Sequence, residues 1–245
     1  MITVLVAIDT VYKQMVAIPL EKKGNRDPFA SRSLAAFARY VGHPKVIIQG
    51  DSEHALMAVI HDACALLTAA TPRTSPVNSK GSNGAAERAV QSVEGMARTL
   101  RLDLLGRTNV AVGSDLPITS WMVRHAAWLL SHFQAGTADG KTAYARQIER
   151  PYESPVLPFA ERVMWKDPTL QPAKLRSSWG YGLWLGRSQT SNAHLIGTRV
   201  GIVVARTIRR LPASEREDST NLVVAMRGTP LPDDQLMRQL VTHPP

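Results

Sequence analysis

The sequence predicts an α/β fold, a mixed sheet flanked by helices, followed by a small basic β unit. Three observations predict it. Over residues 1–135, short β-branched runs alternate with segments of helical apolar period, as in a layered α/β domain. After about residue 158 the helical segments give way to short strand-like runs separated by turn residues. The charge also shifts: residues 161–214 hold nine Lys or Arg against two acids, +7 of the chain's +9.

Taken in order, "ITVLVAI" and "QMVAIPL" read as a hairpin of two buried strands joined through "TVYK". "FASRSLAAFARYVG" places Phe29, Leu34, Phe37 and Val41 at near-helical spacing, with Gly42 where a C-cap glycine belongs. "KVIIQ" is a compact third strand, and "EHALMAVIHDACALLTAA" a strongly apolar helix. Pro72 and Pro76 bracket a stretch read as irregular. The next helix sets Ala86, Val90, Val93, Ala97 and Leu100 on one face. Pro117 opens another, with Ile118, Trp121, His125, Leu129 and Phe133 aligned. Downstream, "ERVMWK", "GYGLWLG", "AHLIG" and "GIVVARTIRR" are the strands of the basic unit. The resulting division is a core at 1–135, a linker at 136–158, the basic β domain at 159–212 and a loose tail at 213–245.

The 245 residues carry 44% hydrophobic and 20% charged side chains, a globular composition. One cysteine, Cys64, excludes an internal disulfide or a cysteine-built zinc site and suits a reducing compartment. No apolar run approaches a membrane span, so a soluble protein with no membrane partner is expected. The opening "MITVLVAIDT" reads as a strand rather than a signal peptide. The basic balance favours a polyanionic partner.

Two acids stand out. Asp51 follows the strand "KVIIQG", at the sheet edge where α/β proteins build sites. Glu87 opens the helix after "SNG", with 35 residues between the two. A strand-end acid and a helix-start acid can converge on a divalent ion, and Mg²⁺ takes a few carboxylates plus water and phosphate oxygens. Each acid also has a plain reading. Asp51 or Ser52 could cap the following helix, and Glu87 could serve only the helix dipole.

The pattern resembles the catalytic core of retroviral and retrotransposon integrases, in the ribonuclease H-like superfamily, whose last two catalytic acids stand about 35 residues apart. "QGDSEHAL" looks like the family's Asp-containing strand end, and "TSPVNSKGSNGAAERAVQSV" is similar to its helix entry. "DGKTAYARQIERPYESPVLPFAERVMW" looks like the segment after the core in copia-type retrotransposon polyproteins. The likeness covers roughly residues 1–212. It implies a ribonuclease H-like sheet followed by a small DNA-binding β-barrel-like domain. It further implies an Mg²⁺- or Mn²⁺-dependent polynucleotidyl transferase, with Asp51 and Glu87 as catalytic metal ligands. Element ends and target DNA would be the partners, the intact enzyme a homo-oligomer, and the nucleus its place of work.

One departure qualifies this. "VLVAIDTVYKQMVAIPL" aligns best with the family's second and third strands, which makes Asp9 the hairpin acid rather than the first catalytic one. The first strand and its Asp are then missing, as in a piece of a longer polyprotein or a decayed copy. A catalytically inactive nucleic-acid-binding remnant is the alternative function.

Lys80, Asn83 and Arg88 flank Glu87 and are candidate DNA contacts, as are Arg206, Arg209 and Arg210 of "RTIRR". Solvated loop and strand-end positions are the competing reading for all six. Glu53 reads as an exposed first-turn acid and His125 as a core histidine. The five tryptophans read as core, Trp179 having a second reading as a DNA contact.

Overall fold

In a computed structural model, the structure describes residues 2–24, 26–76, 83–166, 178–216 and 220–230. The chain forms two compact units, one of Met1–Met96 with Ala126–Glu153 and the other of Ala97–His125 with Ser154–Pro245.

The first unit begins with the expected hairpin, β1 (Thr3–Ile8) antiparallel to β2 (Met15–Leu20), registered from Thr3 opposite Leu20 to Ile8 opposite Met15. Helix α1 (Phe29–Val41) ends at Gly42, whose φ of 83° lets its N–H reach back to the Ala38 carbonyl at 3.1 Å. Strand β3 (Val46–Gly50) leads into α2 (His54–Ala65), and α2 returns the chain to β4 (Ala70–Thr74) parallel to β3. A parallel pair needs such a crossover. Gly50 permits α2 to lie close, since a Cβ there would sit 2.6 Å from Ile60 Cδ1.

Ile18, Leu34, Ala35, Val59, Ile60 and Ala63 form the core, with Leu5, Val16 and Ile48 packed against it. Both strand pairs therefore share one apolar cluster under α1 and α2. They are nevertheless two separate two-stranded sheets, one antiparallel and one parallel, rather than the single mixed sheet expected. Among the described residues no strand bridges them. Strand β4 starts at Ala70, the expected end of the helix, and runs into the stretch read as irregular; α2 itself stops at Ala65. Its Pro72 cannot donate to a ladder, which suits an edge strand paired on one side only.

Helix α3 (Gly84–Thr108) runs two turns past Leu100, burying Ala89, Val93, Leu100 and Leu104. Val90, expected on that face, is exposed. Helix α4 (Pro117–Phe133) starts at its proline and is buried nearly all round. Two of the three boundaries between the units fall within α3 and α4, and the third follows Glu153. Helix α5 (Ala143–Ile148) is capped by Thr142, whose hydroxyl accepts the Ala145 N–H at 3.1 Å.

The second unit is built on β5 (Arg162–Lys166), β6 (Trp179–Arg187), β7 (His194–Gly197), β8 (Ile202–Ala205) and β9 (Ile208–Arg210). They form one antiparallel five-stranded sheet, ordered β8-β7-β6-β5-β9. The expected barrel is not closed, because β8 and β9 are edges that do not pair. Yet only Arg206 and Thr207 connect them. In a flat sheet four strand spacings would part these edges by ~19 Å, whereas the Ala205–Ile208 link reaches at most ~11 Å. The sheet must therefore curl, and the curl makes it barrel-like without a closing ladder.

The core face holds Val163, Trp184, Ile196 and Ala205, with Trp165, Val203 and Ile208 alongside. Gly180 and Gly182 lie opposite Trp165 and Val163. A Cβ on Gly180 would meet the Trp165 ring at 2.8 Å, so the indole packs over bare backbone. Residues 213–230, read as part of a loose tail, include α6 (Ala213–Arg216) and α7 (Thr220–Ala225). Val223 and Met226 are fully buried, and the Gly228 carbonyl accepts the Trp121 indole N–H at 2.9 Å. No described helix is long and apolar enough to cross a membrane.

Candidate functional site

Three polar side chains join the ends of three elements in the first unit. Gln49 is the penultimate residue of β3, Ser75 follows β4, and Asn83 immediately precedes α3. Ser75 Oγ donates to Asn83 Oδ1 at 2.6 Å, and Gln49 Nε2 donates to Ser75 Oγ at 3.1 Å and to Asn83 Oδ1 at 3.4 Å. The Ser75 N–H also bonds the Gly50 carbonyl at 2.7 Å. The start of α3 is thus tied to the C-terminal ends of the two parallel strands.

The two candidate acids flank this junction in sequence, Asp51 two residues after Gln49 and Glu87 four residues after Asn83. Asp51 follows Gly50 and is exposed; its Oδ1 accepts the Glu53 N–H at 3.3 Å, so it also caps the approach to α2. Glu87 is exposed one turn into α3, its N–H bonded to the Asn83 carbonyl at 3.0 Å. An acid there also favours the helix dipole. Arg88 is exposed beside it. Asn83 is half-buried and spends its side-chain oxygen within the junction. Lys80 lies outside the described residues. Glu53 faces Lys23 at 3.1 Å on the surface.

Asp9 is engaged elsewhere. Its Oδ1 meets His43 Nε2 at 2.8 Å, and its Oδ2 accepts the Tyr12 N–H at 2.5 Å. The Tyr12 ring stacks on His43 with centroids 5.0 Å apart. Its backbone closes the same turn, the Asp9 N–H bonding the Gln14 carbonyl at 2.8 Å. This is the geometry of a turn-building residue. Among the described residues no group of three or more His, Cys, Asp or Glu side chains is placed to hold a metal ion.

In the second unit, the three arginines of "RTIRR" part company. Arg206 is exposed in the link between β8 and β9. Arg210 donates from Nε and Nη2 to the two carboxylate oxygens of the buried Glu161, at 2.7 and 2.6 Å. Arg209 lies on the other face of β9, its guanidinium 4.4 Å from the Trp179 ring centroid. Arg187 is buried and donates to the Asn192 and Pro155 carbonyls. Part of the unit's positive charge is therefore spent internally. His125 is a core residue, stacked on Phe159 and edge-on to Trp184.

The junction of Gln49 and Ser75 went unnoticed in the sequence, although a Ser just beyond one strand and an Asn before a helix are its visible parts. Arg162, Lys166 and Tyr181 share one face of β5 and β6, as the alternation in "RVMWK" and "WGYG" and the strand register place them.

No protein-family model matches the chain, and no curated protein matches it. Among solved structures, one similar chain belongs to the "CryoEM structure of simian T-cell lymphotropic virus intasome in complex with PP2A regulatory subunit B56 gamma". The two share 16% identity at a TM-score of 0.41, over 87% of this chain and 77% of that chain. At that score the backbones agree too loosely to transfer a topology or an activity.

Proposed function

We propose that the chain is an integrase-type domain of a copia-like element, acting in DNA integration. Asp51 and Glu87 would hold a divalent cation, and the basic β unit would hold DNA. The observation that carries this reading is the Gln49–Ser75–Asn83 junction, which ties the strand end of Asp51 to the helix start of Glu87. That arrangement gives physical form to the "QGDSEHAL" and "SNGAAERAV" resemblance. Integration of element DNA into chromosomes would place the protein in the nucleus, working as a homo-oligomer on two DNA ends.

Exposed, hard carboxylate oxygens fit Mg²⁺ or Mn²⁺, and two of them leave the remaining positions to water and phosphate oxygens. Such an ion supplies charge neutralisation to phosphoryl transfer. The chain's own contribution is positioning. The junction would relate the elements that carry the two acids, and Arg88, next to Glu87, would meet a phosphate.

A second reading has its own support. Two carboxylates are few for a two-ion clamp, and Asp9 is bound into its turn by His43 and Tyr12. This favours nucleic-acid binding without strand transfer.

The deciding experiment measures Mn²⁺ binding by electron paramagnetic resonance, alongside strand transfer with element-end oligonucleotides. Asp51→Asn and Glu87→Gln should each abolish tight Mn²⁺ binding while duplex binding persists. Unchanged Mn²⁺ binding in both variants overturns the metal assignment. Metal binding without strand transfer selects the second reading.

A further inference from the structure

One face of β5, β6 and β9 carries a pattern that phosphate contact alone does not explain. Directly opposed residues of antiparallel strands share a face. The pairs Lys166–Trp179, Met164–Tyr181 and Met164–Arg209 therefore put these side chains on one side of the sheet, with Arg162 two residues before Met164. Val163, Trp165 and Ile208 point the other way, into the core. Arg209 lies 4.4 Å from the Trp179 ring centroid, and Arg162 lies 4.9 Å from that of Tyr181. Tyr181 is 48% exposed, and Lys166 and Arg209 are exposed as well. The same face is closed farther along, where Gly197, opposite Leu183, lies against Met226. Among the described residues this face presents two rings and three cations, with Trp179 and Arg162 half-buried, and none of the three strands contains an acid.

Phosphate contact requires only the cations. Rings at alternate positions of one strand, ~7 Å apart, add π-faces that accept any base. In a duplex those base faces are covered by their neighbours, so only unpaired nucleotides can use the rings. We propose that this patch binds single-stranded nucleic acid, with unpaired bases stacked on Trp179 and Tyr181 and the phosphates met by Arg162, Lys166 and Arg209. The proposal rests on the nucleic-acid reading of the basic unit and is independent of Asp51 and Glu87.

Fluorescence anisotropy with a short labelled oligothymidylate and a duplex of equal length tests it. Trp179→Ala and Tyr181→Ala should each weaken oligothymidylate binding about tenfold and leave duplex affinity within about twofold. Trp179→Phe and Tyr181→Phe, which keep a ring, should restore single-strand binding, and circular dichroism of all four variants checks the fold. Equal losses on both probes, or oligothymidylate binding untouched by the alanine variants, overturn the proposal. Wild-type protein that binds the duplex but not the oligothymidylate overturns it alone. Wild-type protein that binds neither removes the DNA-binding part of the function proposed above as well.

Discussion

Ser75 Oγ and Asn83 Oδ1 meet at 2.6 Å, and this contact anchors the start of α3 to the end of β4. Asn83 also receives Gln49 from the end of β3. One amide oxygen thus fixes how the helix of Glu87 sits against the strand that Asp51 follows.

Replacing Asn83 with Ala should therefore affect stability and metal affinity together. Losing the shared acceptor should cost about 1–2 kcal/mol, since two donors give up a half-buried partner. On the proposed metal reading, Mn²⁺ affinity should fall as well although neither acid is removed, because the junction relates the strand end of Asp51 to the helix start of Glu87. Urea unfolding and Mn²⁺ titration on the same preparation measure both. Full stability loss with unchanged Mn²⁺ affinity would detach the junction from the acids.

The β6–β7 bulge makes a sharper claim on one glycine. The register shifts between Trp184 and Gly186, and Gly186 takes a φ of 119° with the His125 ring against it. A Cβ would lie 2.6 Å from His125 Nδ1 in a conformation L residues rarely adopt. Gly186→Ala should cost roughly 2 kcal/mol or more. Gly95→Ala is the contrast, since a Cβ there meets nothing within 4 Å in the interior of α3. That change should stabilise by about 0.5–1 kcal/mol. Thermal unfolding of the pair should move in opposite directions.

Where sequence pattern tracked burial, the elements were legible. The hairpin, α1 with its Gly42 cap, and α4 starting at Pro117 all follow from local propensity and apolar period. Strand β4 was hidden because Pro72 and mostly exposed neighbours erase the apolar run by which strands are recognised. Asp51 and Glu87 were singled out through resemblance, whereas the bond of Asn83 to Ser75 was not legible, because a hydrogen-bond partner eight residues away leaves no periodic trace. Arg209 and Arg210 looked alike for the opposite reason: adjacency hides that a strand sends neighbours to opposite faces. The packing of Met226 and Gly228 depends on long-range contacts that composition cannot reveal.

Two buried histidines give stability a pH dependence. Burial lowers His132 from 6.5 to about 4, opposed by its bond to the Trp128 carbonyl. Burial, then the nearby Arg187 charge, lowers His194 to about 4 as well. The unfolded chain takes up these protons near 6.5 and the folded chain only near 4. Between those values the unfolded state binds more protons, so the stability present above pH 6.5 is lost as pH falls toward 4. Each histidine should contribute a loss on the order of 3 kcal/mol. His132→Phe keeps the aromatic packing against Trp128 and Tyr152 but cannot take up a proton. It should flatten the acid limb of the urea midpoint between pH 7 and 4.5. An unchanged slope would mean that His132 does not titrate with unfolding.

Arg209 and Arg210 are neighbours in sequence on opposite faces of β9, and substitution should separate them. Arg210 closes on Glu161, which is 1% exposed, so Arg210→Ala leaves a buried carboxylate without its counter-ion. Breaking a buried pair from one side costs about 3–5 kcal/mol. Because the Arg210 side chain is itself 47% exposed, water can reach the vacated space, and a loss near the lower figure, about 3 kcal/mol, is expected. Glu161→Gln combined with Arg210→Met should recover much of it, since neither charge then remains. Arg209→Ala removes an exposed cation lying over Trp179 and should cost under about 1 kcal/mol of stability. Its effect should appear in DNA affinity and in a shallower dependence of that affinity on salt. Parallel urea unfolding and salt-titrated DNA binding of the two alanine variants make the comparison. If Arg210→Ala lowers affinity at unchanged stability, both arginines face DNA and the ion pair with Glu161 is incidental.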